Sequence, residues 1–257
     1  MERGMAMSKK DRIAAMLKSI ETGDPEPIAV VNEAKYIQHN PQTQEGSEGL
    51  AVLFARLSKT NPRVNTVRSF EDGDFVFAHM EYDFSRRNVG FEVFRFEEDQ
   101  AVEHWDNIQP RLGPNPAGRS MVDGAVEILD RDRTEDNRDR IRDFVDTVLI
   151  GRELGRLESF VAPEYAEHNP AMTDGAVALR AALEATSGDV PVICYQTLHR
   201  VLADGCFVLS VCEGQKNGEH SAFYDLYRLV DGLIVEHWDT VEKIAPRSEW
   251  KNDNGKF

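Results

Sequence analysis

Apolar positions along this chain keep a helical spacing, switch to strict alternation, and then run through both periods a second time. Ile13, Met16, Leu17 and Ile20 fall on one helical face of Asp11 to Ile20, and Thr22-Gly23-Asp24-Pro25 ends that helix. Pro27 to Tyr36 reads as a second helix, and Gly49 to Lys59 as a third with Leu50, Leu53, Phe54 and Leu57 inward. From Asn65 the period becomes two. Val64 to Phe70, Phe75 to Phe84, Gly90 to Phe96 and Ala101 to Ile108 read as strands, joined at Asp72-Gly73, Ser85 to Val89 and Glu98-Asp99-Gln100. Asp136 to Gly151, Leu154 to Tyr165 and Ala176 to Thr186 then rebuild the helices. Ile193 to Leu202, Phe207 to Glu213, Ser221 to Val230 and Leu233 to Val241 rebuild the strands. Helices followed by an antiparallel meander, given twice, predict an α+β protein of two tandem domains, 9–112 and 135–246. The Pro- and Gly-rich stretch within 113–134 is the linker, and residues 1–8 read as a loose leader.

The polar residues repeat with the periods. Glu103-His104-Trp105-Asp106 returns as Glu236-His237-Trp238-Asp239, and His39-Asn40-Pro41 returns as His168-Asn169-Pro170. On a strand, His104 and Asp106 share one face while Glu103 and Trp105 share the other. Glu92 and Asp225 lie on the preceding strand, where a hairpin turning near residue 99 sets position 92 opposite 106. Of carboxylates facing one another, either one is held protonated or a cation or imidazolium lies between them, which is a device for general acid–base work; an ordinary ion pair with Arg95, Arg228 or another basic group is the structural alternative. His79 shares a face with Phe75 and Phe77 and has Val211 as its counterpart, so a role needing it survives in one half only. Without His-x-His spacing, no metal is expected.

Composition narrows the partners. A hydrophobic fraction of 41% with 29% charged residues is that of a globular chain, and 45 acidic against 30 basic residues give a net charge of −15. Such a charge repels phosphate backbones and anionic headgroups, which excludes nucleic acid and membrane as expected partners. No apolar run has membrane-spanning length and the N-terminus lacks a signal-peptide core, so the expected address is cytoplasmic. Cys194, Cys206 and Cys212 form no Cys-x-x-Cys pair and read as buried small hydrophobes.

Tyr36-Ile37-Gln38-His39-Asn40-Pro41 with Gly46, and Phe94-Arg95-Phe96 leading to Val102 through Pro110, resemble the SnoaL-like polyketide cyclase and predicted aldol-condensation group of the nuclear transport factor 2-like superfamily. The second half resembles it through His168-Asn169-Pro170, Asp225-Leu226-Tyr227-Arg228 and Glu236-His237-Trp238-Asp239. The resemblance implies, for each half, a cone of three helices packed on a curved antiparallel sheet with a pocket at its wide end. It also implies pairing of the two halves as an intramolecular pseudo-dimer, with a homodimer as the other arrangement. The activity it implies needs no cofactor: a carboxylate enolises a small carbonyl substrate that then undergoes aldol condensation, cyclisation or isomerisation. Carried over by position, the acid–base residues are Asp106 and Asp239, with His104/His237 or His39/His168 as partners. A histidine or Asn40/Asn169 would stabilise the enolate oxygen and Trp105/Trp238 would form an apolar wall, with Glu92, Asp225 and His79 beside the substrate. Glu92 and Asp225 stand where cyclases of this group are expected to carry a histidine. The competing expectation is a non-catalytic ligand-binding or dimerisation module, or one active half beside a degenerate one.

Overall fold

The computed structural model describes residues 7–257, so most of the expected leader lies outside the described residues. Contacts divide the chain into two units, residues 1–106 with 245–256, and residues 107–244 with 257. The linker residues therefore belong to the second unit, and the C-terminal tail belongs to the first.

In unit 1, α1 (Lys9–Thr22) starts where the Ser8 side chain accepts the Asp11 amide and stops at Gly23, whose φ of 73° is the left-handed conformation of a C-cap. Its Ile13, Met16, Leu17 and Ile20 are buried. The second expected helix is only a 3-10 turn over Glu26–Val30. Pro25 and Pro27 deny it backbone donors, and the β-branched pair Val30-Val31 favours extended chain. The chain then forms a short strand, β1 (Ile37–Gln38), and a helix, α2 (Gly46–Leu57). The meander is β2 (Arg63–Asp72), β3 (Phe75–Asp83), β4 (Arg87–Glu97) and β5 (Gln100–Pro110). The sheet order is β1-β5-β4-β3-β2, with β1 parallel to β5.

Unit 2 repeats this plan. It has α3 (Thr134–Phe144), which continues as a π-turn segment Val145–Ile150, then a 3-10 turn over Leu154–Ser159. The strand β6 (Val161–Glu167) and the helix α4 (Ala176–Glu184) come next. After a small hairpin of β7 (Thr186–Ser187) and β8 (Val190–Pro191) come β9 (Ile193–Asp204), β10 (Phe207–Lys216), β11 (Glu219–Val230) and β12 (Leu233–Lys243). The order β6-β12-β11-β10-β9, with β6 parallel to β12, is that of the first sheet. Each sheet thus has five strands where four were expected, the extra one being the residues just before His-Asn-Pro. The unit 2 core lies between one sheet face and the helices, with Phe144, Leu157, Phe160, Val208, Cys212 and Phe223 all buried. Among the described residues no helix is long and apolar enough to cross a membrane.

Candidate acid–base site

Strand alternation sorts the repeated residues onto two faces, and the two faces hold different structures. On one face of unit 1, His39 stacks on Trp105 at 4.7 Å between ring centres, its Nε2 lies 2.9 Å from Glu103, and Arg95 Nε donates to Glu103 at 2.7 Å. Unit 2 copies this closely: His168 stacks on Trp238 at 4.7 Å, meets Glu236 at 3.0 Å, and Arg228 donates to Glu236 at 2.7 Å. In each unit the histidine's Nδ1 faces a backbone carbonyl of a long arm, Gly255 O at 3.1 Å for His39 and Ser120 O at 2.7 Å for His168. Asn254 and Asn115 secure the same arms by donating to the carbonyls of Gln38 and Glu167. Gly124 of the linker, at φ +94°, lies so close that a Cβ there would meet Glu236 Oε1 at 2.2 Å, so only glycine fits.

His39, His168, Trp105 and Trp238 therefore fasten the arms and do not line the acid–base pocket; the reason is parity, since Glu103 and Trp105 point away from His104 and Asp106. Arg95 and Arg228 are used on this face too, which removes them as neutralisers of Glu92 and Asp225. His79 is also outside the pocket. It is buried, stacked on Phe91 at 4.6 Å, with Arg68 Nη1 3.0 Å from its Nδ1.

The other face brings the remaining predicted residues together. In unit 2, Asp225 pairs with Asp239 across β11 and β12, as the hairpin argument requires. His237 stands between two acids, its Nδ1 3.0 Å from Glu167 Oε1 and its Nε2 3.1 Å from Asp225 Oδ1. Burial opposes charge on this ring, but the fields of Glu167 and Asp225 and their hydrogen bonds overcome it and hold the pKa well above 6.5. Burial likewise pushes Glu167 up, but the His237 imidazolium, the Tyr165 hydroxyl and the Asn169 amide outweigh it and leave the pKa lowered. Asn169 Nδ2 donates to Asp239 Oδ2 at 2.7 Å, while Asp239 Oδ1 is buried with no hydrogen-bond partner. Burial raises the Asp239 pKa, Glu167 and Asp225 raise it further, His237 and Asn169 restrain it, and it settles at about 6. Tyr195 Oη donates to Asp225 at 3.1 Å, and the Tyr227 ring stacks on His237 at 5.0 Å. Asp239, His237, Asp225, Tyr195 and Tyr227 line a pocket whose remaining wall is largely apolar.

Unit 1 has the same frame with different contents. His104 Nε2 lies 2.6 Å from Glu92, but its Nδ1 meets the neutral amide of Gln38 at 2.9 Å. Tyr82 Oη donates to Glu92 at 2.6 Å and Asn40 Nδ2 donates to Asp106 Oδ2 at 2.6 Å. The tail then enters. Asn252 donates to the carbonyls of Asn40 and Thr43, and Lys256 places Nζ 3.6 Å from Asp106 Oδ1, both side chains being almost fully buried. Glu92, His104 and Asp106 bring ligand atoms within 4.8 Å of one another, the spacing of a metal site, and the Lys256 ammonium lies beside the Asp106 member of that group. Asn40 and Asn169 each give a side-chain N–H to orient an aspartate, and Asn169 also lines the unit 2 pocket.

The sequence reading overlooked Glu167, Gln38, Tyr82, Tyr165, Tyr195, Tyr227 and Lys256. A signal existed for Gln38 and Glu167, which directly precede the repeated His-Asn-Pro. None existed for Lys256, which is brought to Asp106 by the tail alone.

No protein-family model matches this chain, and no curated protein matches it. Among solved structures it is similar to an NTF2-like protein of unknown function from Mesorhizobium loti, at 22% identity and TM-score 0.38 over 46% of this chain and 99% of that one. A candidate ketosteroid isomerase from Kribbella flavida gives 22% identity and TM-score 0.38 over 44% and 83%. A candidate polyketide cyclase from Streptomyces antibioticus gives 16% identity and TM-score 0.36 over 40% and 93%.

Proposed function

We propose that unit 2 is a cofactor-independent acid–base enzyme acting on a small carbonyl compound, and that unit 1 is its non-catalytic copy. The observation that carries this reading is Asp239: buried on a cavity wall, one oxygen fixed by Asn169, the other uncommitted, with a pKa of about 6. A base poised just below neutrality is mostly ionised at working pH yet strong enough to accept a proton from carbon. In the proposed step Asp239 Oδ1 takes the proton α to the carbonyl, and the C–H electron pair moves into the carbonyl to give an enolate oxygen. The same proton is later returned to carbon, for isomerisation, or to the oxygen formed by aldol addition.

His237 has both N–H groups engaged by carboxylates, so it acts as a fixed positive charge that keeps Asp239 from climbing out of the useful range. Tyr227, whose phenol burial holds well above 10, stays protonated and is the wall residue suited to donate to the carbonyl oxygen. In unit 1 the corresponding base, Asp106, already faces Lys256, which supports the non-catalytic reading of that half. The test is deuterium uptake from heavy water at the α carbon of a panel of ketones and β-dicarbonyls, followed by proton NMR. Exchange above the buffer rate that disappears in Asp239→Asn is expected. Exchange surviving in that variant, or no exchange from any panel member shown to enter the pocket, would overturn the reading.

A further inference from the structure

We infer that the unit 2 pocket takes a cationic ligand, a primary alkylammonium with an apolar body, whose charged end lodges at Asp239 Oδ1. The first ground is the vacant acceptor. Asp239 is 9% exposed, lines the cavity, and has its Oδ1 without a hydrogen-bond donor. A buried carboxylate oxygen in that condition costs free energy that a ligand with N–H groups recovers.

The second ground is the balance of charge around it. Glu167, Asp225 and Asp239 surround a single imidazolium, so the cluster attracts a cation and repels carboxylate or phosphate. The rest of the wall, with Phe144, Leu149, Leu183 and Ile193, is suited to a hydrocarbon body.

The third ground is that unit 1 already sets an ammonium beside the counterpart oxygen, at ion-pair distance and without a hydrogen bond between them. Asp106 is the counterpart of Asp239: its Oδ2 is held by an asparagine amide, as in unit 2, and its Oδ1 faces an ammonium at 3.6 Å. That ammonium is at the end of the four-carbon chain of Lys256, buried with 2% of its side chain exposed. The tail of this protein thus supplies to one copy of the site the group that the other copy must find in solution. A primary ammonium fits better than a quaternary one, because the vacant oxygen needs a hydrogen-bond donor and not charge alone.

This inference rests on the reading of the same pocket as open to small molecules, and it makes a primary alkylammonium an occupant that competes with the carbonyl substrate for Asp239 Oδ1, as Lys256 occupies Asp106 in unit 1. Binding tests it separately from catalysis. The full chain is titrated calorimetrically with n-hexylamine, 1-hexanol and hexanoate. Hexylamine is expected to bind about tenfold or more tighter than hexanol, the increment of a charge-assisted hydrogen bond, and hexanoate not to bind. Asp239→Asn should bring amine and alcohol to parity, and Asp106→Asn should leave the preference intact. No binding of hexylamine, equal affinity for hexanol in the wild type, or a preference lost on changing Asp106 instead of Asp239 overturns the inference. Deuterium exchange of ketones without amine preference would leave the acid–base reading standing and remove this one. Amine preference without exchange would do the reverse.

Discussion

The two units agree closely on one sheet face, while on the other they share a frame, an asparagine on an aspartate and a histidine and a tyrosine on an acid, whose remaining contacts differ. The His39–Trp105–Glu103–Arg95 set and its copy share stacking and hydrogen-bond distances, and both fasten an arm of chain. On the opposite face, Gln38 stands where unit 2 has Glu167, Phe94 where it has Tyr227, and Lys256 fills the place that unit 2 leaves open. Faithful repetition therefore marks the scaffold in this molecule. Departure from repetition marks the chemistry.

The comparison breaks first on activity. Asp239→Asn is expected to slow α-proton exchange by about 10²- to 10⁴-fold, the usual worth of a positioned base, while Asp106→Asn leaves it within about twofold. Equal losses from the two variants, read by the same NMR assay, would mean that both pockets work. The next largest effect falls on unit 1. Lys256→Met leaves Asp106 buried without its cation, at a cost of about 3 kcal/mol, which Asp106→Asn in the same chain should largely relieve. Hydrogen exchange of the β5 amides reports it, and an unchanged protection pattern would show that the pair is idle.

A third effect concerns pH. The folded Asp239 pKa of about 6 lies above its ordinary 3.8, so the fold binds this proton more tightly than the unfolded chain does. The stability it confers is complete below pH 3.8 and is lost as pH rises through about 6, leaving a deficit of about 3 kcal/mol at neutral pH. Asp239→Asn should accordingly be more stable than wild type at pH 7, with the gap closing near pH 4 in urea melts. Activity runs the other way, rising as pH passes about 6 and the base ionises.

Much of this was legible in the sequence, and the limits have physical causes. The strands announced themselves by alternation, and parity on β12 alone put His237 and Asp239 on one face. The facing of Asp225 and Asp239 came from counting through the hairpin turn. The short parallel strands were missed because two residues, Ile37 and Gln38, show no period, and because Val161–Glu167 sits where a helix was expected to continue. His39 and His168 were grouped with the aspartates because a loop before proline gives no parity to read. Lys256 was invisible for another reason: nothing local ties a C-terminal lysine to an aspartate so far back in the chain.

The smallest effect sharpens the comparison most, because it makes unit 2 resemble unit 1 at one atom pair. Glu167→Gln copies Gln38, removing one of the carboxylates that hold His237 protonated while keeping a hydrogen-bond acceptor at its Nδ1. The His237 pKa, read from the ring proton shifts, should fall toward its ordinary 6.5. The stability this ring gives is complete below pH 6.5 and lost as pH rises through its folded pKa, so that window should narrow from its upper end. Asp239 should respond little. Burial is the first cause of its raised pKa, and the change removes an upward push from Glu167 while weakening the restraint of His237. The rising limb of activity should therefore stay near pH 6 in the variant. A limb that moves far toward acid would show that Glu167, more than burial, tunes the base, and that one glutamine at position 38 is enough to separate the working copy from the silent one.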